Sequence, residues 1–303
     1  SGDMLVVGAI SEDGGPGDPQ ANSGAAYVFE RNQGGPGMGS VPDAWGQVRT
    51  LRVADTQLSH FMAVSIDGNT LVGSVPDWSS FGAATIFTLQ AGWEPEALPQ
   101  SSDAQSGDLF GSVALDGDTL VVGAPEADVC PITEPISDTG AAYVFIRQPG
   151  GWAQDAVLCA PDAQAGDRFG FSVAISGATI VVGAYGRDGD RGAAYVFEYT
   201  ALQGINDWSQ VGTLGVGSGQ AGDGFGYSVA VQGAEIIVGA PWADGTQADE
   251  GAAYVFEDSP TLNAGLDDWS QVGTLGSANS QASGLYGFAL GVAGDLLAVG
   301  EPG

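Results

Sequence analysis

Carboxylates are the side chains of this sequence that could bind a cation or act in catalysis. The chain has 37 Asp and Glu residues against 7 Lys and Arg, which gives a formal net charge of −30 at pH 7. Carboxylate oxygens bind hard cations such as Ca²⁺, and paired carboxylates supply the acid and base of glycoside chemistry. The simpler interpretation, which we favour, is that the acids are solvated turn residues. The candidate ligand or cation residues are Asp13, Asp18, Glu126, Asp128, Asp188, Asp190, Asp244, Asp249 and Glu250.

Other residue types that enzymes use are scarce. The single histidine, His60, cannot be assigned as a general base, no lysine occurs, and no G-x-S-x-G nucleophile motif is present. The segment 217–222, GSGQAG, formally matches G-x-G-x-x-G, but no strand–helix unit follows it. We therefore predict no catalytic residues, no cofactor and no enzymatic activity. A polysaccharide-acting enzyme that uses carboxylates of the acidic loops is an alternative.

The two cysteines, Cys130 and Cys159, both fall within one stretch of 30 residues or so. They are candidates for a local disulfide bond, which would suit an oxidising compartment, and two buried free thiols are the alternative. Two cysteines and one distant histidine do not make a plausible zinc site.

Two short phrases recur along the chain at intervals of roughly 50 to 65 residues. The first is VVGA or a close variant, and it ends at Gly8, Gly73, Gly123, Gly183, Gly239 and Gly300. The second is GAAYVF or a close variant, and it begins at Gly24, Gly82, Gly140, Gly192 and Gly251. Branched and aromatic residues are typical of strands, so each repeat predicts four short strands of the types SVAI, TLVVGA, AAYVFE and WSQVGTL.

A short turn with glycine separates the first two strands of each repeat. Glycine supplies the positive φ of a two-residue hairpin, so four consecutive strands form an antiparallel meander. One such sheet cannot bury both of its faces, whereas several sheets packed around an axis can. We predict an all-β fold, a β-propeller of four-stranded antiparallel blades, with a linear β-solenoid as the alternative. The predicted turn dyads are Asp67-Gly68, Asp116-Gly117, Ser176-Gly177, Gln232-Gly233 and Ala293-Gly294.

The repeated phrases resemble the FG-GAP repeat of integrin α-subunit propellers, and their bacterial relatives more closely. Phe110-Gly111 with Gly123-Ala124-Pro125, and Phe225-Gly226 with Gly239-Ala240-Pro241, carry both halves of the motif. In integrin-like propellers the calcium loop lies between the first and second strands. The corresponding turns here, LDGDT and ISGAT, lack the oxygen ligands that calcium requires, so no metal is expected at these hairpins.

The resemblance also implies a ring of seven blades. We predict a single propeller domain over 1–303, and because the chain begins at Ser1 inside a repeat we expect an excised piece of a longer ring or array. Five blades with a spare strand are the alternative. The predicted divisions are a partial blade at 1–50, blades at 51–100, 101–160, 161–214 and 215–275, and a partial blade at 276–303.

Strand parity places the loops between the second and third strands, and those between blades, at one rim. This acidic rim, together with the resemblance, predicts a non-catalytic extracellular binding or adhesion module of a bacterial surface or secreted protein. Its partner would be a protein or glycan of a cell surface or matrix, or another copy of the chain. A structural subunit of an extracellular filament, joined through unpaired terminal strands, is the alternative.

Two further expectations concern partners. The net charge of −30 argues against nucleic acid, and the lack of an apolar run of 18 residues argues against membrane insertion. The recurrent Trp and Tyr are expected to pack in the core, whereas Trp78 and Trp242, outside the regular strand positions, are candidates for stacking on carbohydrate.

Overall fold

The structure is a computed structural model that describes part of the chain. The described residues are 4–9, 25–31, 45–51, 63–75, 83–89, 92–96, 107–130, 136–202, 205–258, 269–278 and 282–302.

The described residues form six antiparallel sheets, each made of strands that follow one another in the chain. The first sheet contains β1 (Met4–Ala9), β2 (Ala25–Arg31) and β3 (Trp45–Leu51). The second contains β4 (Ala63–Asp67), β5 (Thr70–Val75), β6 (Ala83–Thr88) and β7 (Glu94–Glu96). The third contains β8 (Val113–Asp116), β9 (Thr119–Ala124), β10 (Ala141–Gln148) and β11 (Gly151–Leu158).

The last three sheets follow the same plan. They are β12 (Ser172–Ser176), β13 (Thr179–Ala184), β14 (Ala193–Leu202) and β15 (Ile205–Leu214); β16 (Ser228–Gln232), β17 (Glu235–Ala240), β18 (Ala252–Asp258) and β19 (Trp269–Leu275); and β20 (Ala289–Ala293) with β21 (Leu296–Gly300). One helical turn, α1 (Arg187–Asp190), lies between β13 and β14, and no helix in the described ranges is long and apolar enough to cross a membrane.

The chain divides into two compact units. Unit 1 comprises Ser1–Leu120 with Phe145–Gln154, and unit 2 comprises Val121–Val144 with Asp155–Gly303. In unit 1 the inner strand β4 lies beside β8, and in unit 2 the inner strands β12, β16 and β20 are neighbours in turn. The fold class predicted from the repeats, an all-β β-propeller of four-stranded antiparallel blades, is confirmed, and the β-solenoid alternative is wrong because the sheets are antiparallel meanders. The bounds of the domain and the number of blades in a ring stay predictions.

The TLVVGA-type strands are buried on both faces. In β13, the side chains of Ile180, Val181 and Val182 are all fully buried, as an uninterrupted run of branched apolar residues predicts. The strand is joined to β12 by a two-residue turn, since Ser176 pairs with Thr179 and Gly177 has a φ of 58°. The hairpin turn predicted from the sequence is therefore present in this sheet.

Consecutive sheets of unit 2 meet through their backbones. Gly192, which opens the GAAYVF phrase, bridges Phe225 of the next sheet in parallel fashion. A Cβ atom on Gly192 would lie 1.9 Å from the carbonyl oxygen of Phe225. The hydroxyl of Ser172 donates to the carbonyl of Gly226 at 2.8 Å, which adds a side-chain hydrogen bond to the same joint. Glycine at this position is therefore required by space as well as by its φ of 85°.

The hairpin ends of neighbouring sheets are also joined. The side-chain amide of Gln232 donates to the carbonyl of Gly294, and the backbone N–H of Gly294 donates back to the Gln232 amide oxygen, both at 3.0 Å. Such reciprocal hydrogen bonds fix the relative position of two hairpins without the use of apolar contacts.

The loops between strands are held by their own acids and by one covalent bond. Asp167 accepts a hydrogen bond from the backbone N–H of Gln164 at 2.8 Å, and Asp223 accepts one from that of Gln220 at 2.7 Å, so these buried aspartates close their own turns. Cys130 and Cys159 form a disulfide bond with a Cα–Cα distance of 5.6 Å.

We expect Gly192→Ala to destabilise the protein by about 2–4 kcal/mol, because the new methyl group overlaps backbone that cannot rotate away and the residue must keep a positive φ. Urea unfolding followed by tryptophan fluorescence measures this as a lower midpoint at an unchanged slope. Gly217→Ala is the matched control, since a Cβ atom there meets nothing within 4 Å. Equal midpoints for the two variants would contradict the backbone joint.

We expect a protein purified without reductant to contain no titratable thiol, and the variant with both Cys130→Ala and Cys159→Ala to be less stable by about 3–4 kcal/mol. The bond closes a loop with a sequence separation of 29 residues, and closing such a loop lowers the entropy of the unfolded chain. Thiol titration in denaturant and urea unfolding check the two statements. Two free thiols in the untreated protein would contradict the bond.

Candidate functional site

Five aromatic side chains meet at one end of the inner hairpins of unit 2. Phe171, Tyr227 and Phe288 each precede the first strand of a sheet, while Tyr185 and Trp242 follow the second strands β13 and β17. Because antiparallel neighbours start and end at the same side, all five lie at the end from which the longer loops leave. We call these five residues the aromatic cluster.

The rings of the aromatic cluster are in direct contact and only partly buried. Tyr227 is central, with ring centroids 4.8 Å from Phe171, 5.0 Å from Trp242 and 4.9 Å from Phe288. The ring of Tyr185 lies 4.5 Å from that of Phe171 in an edge-to-face arrangement. Phe288 remains 37% exposed. Half-exposed aromatic rings held in mutual contact form a rigid apolar platform.

A glycine makes room for the largest ring of the cluster. Gly224 stands directly before the Phe225-Gly226 dyad and has a φ of 66°. A Cβ atom there would lie 2.4 Å from Cε3 of Trp242, so the indole packs on bare backbone. The residues at the equivalent position of other sheets, Leu109 and Arg168, also have positive φ but carry side chains. The absence of a side chain at 224 therefore determines where Trp242 can lie.

Arg168 supplies a positive charge at the edge of the aromatic cluster. Its guanidinium lies 5.2 Å from the centroid of the Tyr185 ring and donates a hydrogen bond to the Tyr185 hydroxyl. Its Nε atom lies 3.5 Å from Oε1 of Glu126. Burial raises the pKa of the Glu126 carboxyl, and Asp138 raises it further through a hydrogen bond and its negative charge, against the opposing effect of Arg168. The aromatic platform thus ends in a charged edge.

A second charged network lies among the loops of unit 2. Nη1 of Arg187 lies 2.6 Å from Oδ2 of Asp162, and the Tyr195 hydroxyl donates to Oδ1 of the same carboxylate at 2.8 Å. Burial opposes ionisation of Asp162, but hydrogen bonds from Tyr195 and Arg187 outweigh it and hold its pKa below the usual range. Both polar tips of the carboxylate are thereby occupied, so this network ties α1 to the loop before β12.

The predicted acidic residues fall into separate places. Glu126 lies at the edge of the aromatic cluster, and Asp128 accepts a hydrogen bond from the backbone N–H of Asp138 at 2.8 Å. Asp188 lies 3.7 Å from Nε of Arg187, and Asp190 follows it in the same turn. Asp13 and Asp18 lie outside the described residues.

The remaining candidates belong to one loop between β17 and β18. The backbone N–H of Asp249 donates to Asp244 at 3.0 Å, and the two carboxylate oxygens of Glu250 accept from the backbone N–H groups of Thr246 and Gln247 at 2.9 and 3.0 Å. Within the described ranges, no three His, Cys, Asp or Glu side chains are grouped so that they could hold a metal ion. Calcium binding by the acidic loops stays a prediction.

Of the five residues of the aromatic cluster, only Trp242 is a candidate from the sequence. A usable signal exists in the repeats. The phrase at 110–114 reads FGSVA, whereas the phrases at 169–174 and 225–230 read FGFSVA and FGYSVA, with one aromatic residue inserted after the dyad. The inserted residues are Phe171 and Tyr227, and Phe288 takes the same place in the last repeat. Trp78 lies outside the described residues.

Three solved structures illustrate the similarity of this chain to known folds. One is a Bacteroides fragilis protein described as a candidate 6-phosphogluconolactonase, with 12% identity over 98% of this chain and 88% of that chain and a TM-score of 0.45. The second is the periplasmic gluconolactonase PpgL of Pseudomonas aeruginosa, with 15% identity over 90% of this chain and 82% of that chain and a TM-score of 0.45. The third is Hsv2 of Kluyveromyces marxianus, with 13% identity over 85% of this chain and 69% of that chain and a TM-score of 0.49.

These comparisons correct the predicted function. The prediction of a non-catalytic extracellular binding or adhesion module, and with it the prediction of no enzymatic activity, is wrong by this comparison, because two of the similar structures bear the names of lactonases. The alternative of a filament subunit is not retained. At such identities and TM-scores the neighbours' own activities are not transferred to this chain.

The repeats themselves identify the family. The family model described as "FG-GAP repeat" matches residues 93–145, 152–197 and 208–256. These segments contain the FG dyads, the VVGA strands and the GAAYVF strands on which the joints between sheets and the aromatic cluster are built. The chain is therefore a member of the FG-GAP repeat family.

Proposed function

We propose that unit 2 binds carbohydrate through the aromatic cluster. The observation that carries this proposal is the contact of four partly exposed rings with Tyr227, at the end of three adjacent inner strands. Binding sites for small molecules are mostly apolar and aromatic, with a few polar groups that fix orientation. A rigid platform of this kind suits a flat ligand with an apolar face.

The polar groups at the edge of the platform favour a sugar over a purely apolar ligand. A pyranose ring presents C–H groups on its faces and hydroxyl groups around its rim. The polar groups beside the rings can donate hydrogen bonds to such a rim and accept them from it: they are the Tyr185 and Tyr227 hydroxyls, the Arg168 guanidinium and the Glu126 carboxyl. Burial raises the pKa of the Tyr227 hydroxyl, and the nearby Tyr185 adds to the effect.

The disulfide bond supports an extracellular location as part of the same proposal. A bond between Cys130 and Cys159 persists in oxidising compartments and is rare in the reducing cytosol.

Affinity electrophoresis against a panel of soluble polysaccharides (xylan, mixed-linkage glucan, galactan and pectin) tests the proposal. We expect at least one of them to retard the protein, and Tyr227→Ala or Trp242→Ala to weaken that binding about tenfold or more, because aromatic residues at the centre of an interface carry much of its energy. Tyr199→Ala is the matched control, since its ring packs on Trp208 outside the cluster. Retardation by none of the four, or equal retardation of Tyr227→Ala and the unsubstituted protein, would contradict carbohydrate binding.

A further inference from the structure

We propose that Arg168 makes the aromatic cluster selective for sugar rings that carry a carboxylate, so that the ligand class is a uronic-acid oligosaccharide. This inference rests on the proposed carbohydrate binding and adds the chemistry of the ligand to it. The position of the Arg168 guanidinium, its unused donors and the contrast with Arg187 support this inference.

Arg168 is placed at the platform by the backbone. It occupies the position before the Phe169-Gly170 dyad with a φ of 56°, the same left-handed conformation that Gly224 adopts in the next sheet. From there its guanidinium reaches the face of Tyr185, whose ring in turn contacts Phe171. The side chain is 39% exposed, so the cation lies at the edge of the cluster and remains open to solvent.

The guanidinium of Arg168 has hydrogen-bonding capacity to spare. Arginine carries five N–H donors in a planar fork, and Nη1 of Arg168 donates to the Tyr185 hydroxyl. The Nε atom is 3.5 Å from Glu126, which is longer than a normal hydrogen bond. Among the described residues, Nη2 of Arg168 has no hydrogen-bond partner or ion pair. A ligand carboxylate that docks on this fork would therefore gain two hydrogen bonds without displacing a well-formed one.

Arg187 is an example of an arginine whose charge is paired within the protein. It is 17% exposed and lies 2.6 Å from Asp162, with a further hydrogen bond to Tyr195. Arg168 has neither the short ion pair nor the burial. Glu126, which lies 3.5 Å from Nε of Arg168, has a pKa that is raised by burial and by Asp138.

The net charge of −30 opposes the approach of an anionic ligand, but it does not decide the contact. At an ionic strength of 0.15 M the Debye length is about 8 Å, so distant carboxylates are largely screened while a direct arginine–carboxylate fork is not. A planar fork matches a carboxylate better than it matches a single hydroxyl. The local chemistry of Arg168 therefore favours an acidic sugar over its neutral counterpart.

Tri-galacturonate and its methyl ester form a matched pair of probes, since they share ring and linkage and differ in charge. We expect isothermal titration calorimetry at 0.15 M NaCl to give an affinity at least tenfold higher for the acid. Arg168→Gln should reduce binding of the acid at least tenfold and binding of the ester by a smaller factor, so that the two affinities become similar. Arg168→Lys keeps the charge without the fork and should retain only part of the preference.

Arg191→Gln is the control, since it removes the same charge from an exposed side chain of unit 2. Far-ultraviolet circular dichroism establishes that each variant is folded before it is titrated. Equal affinities of the unsubstituted protein for acid and ester, or a preference that survives Arg168→Gln, would overturn the selectivity while leaving carbohydrate binding in place. Binding of neither probe would overturn the uronic-acid assignment, and the polysaccharide panel then decides separately whether carbohydrate is bound at all.

Discussion

Consecutive sheets of unit 2 approach one another through backbone atoms at the glycine that opens each GAAYVF phrase. At Gly140, Gly192 and Gly251 a Cβ atom would lie 2.0, 1.9 and 2.3 Å from the carbonyl oxygen of the aromatic residue that begins the next FG dyad. No other residue type fits such an approach. Because the dyad directly precedes the inner strand, this contact also determines where each inner strand starts.

The aromatic cluster depends on that same contact. Phe171 and Tyr227 follow their FG dyads by one residue, so the backbone joint places their rings at a common level along neighbouring inner strands. Tyr185 and Trp242 reach the same level from the paired second strands. The positions before the dyads then differentiate the sheets: Arg168 brings a cation to Tyr185, and Gly224 leaves space for Trp242. The backbone contacts thus repeat from sheet to sheet, whereas the side chains at this end of the strands differ.

The sheets were largely predictable, whereas the aromatic cluster was not. Strand order follows from local signals, such as the run of branched residues in TIVVGA and the glycine of the turn at Gly177, and these signals recur in every repeat. The cluster instead depends on one inserted aromatic residue in each of several repeats. The rings that contact it come from other repeats, so no local pattern shows which rings will meet. The large number of acids suggests a ligand site, yet the side-chain oxygens of Glu250 and Asp244 accept hydrogen bonds from backbone N–H groups of their own loop. Composition does not distinguish an acid that holds a turn from one that meets a ligand.

The backbone joint has a consequence for how such a chain can change over generations. Since the contact between sheets is made by main-chain atoms and a small hydroxyl, as between Ser172 and Gly226, it does not use the side chains at 168, 185 and 242. Those three side chains can differ from sheet to sheet without a change in the backbone contact, whereas a side chain at Gly224 would overlap Trp242. Substitutions within one sheet can therefore change the exposed surface at this end of the strands, while the backbone contacts between neighbouring sheets are kept.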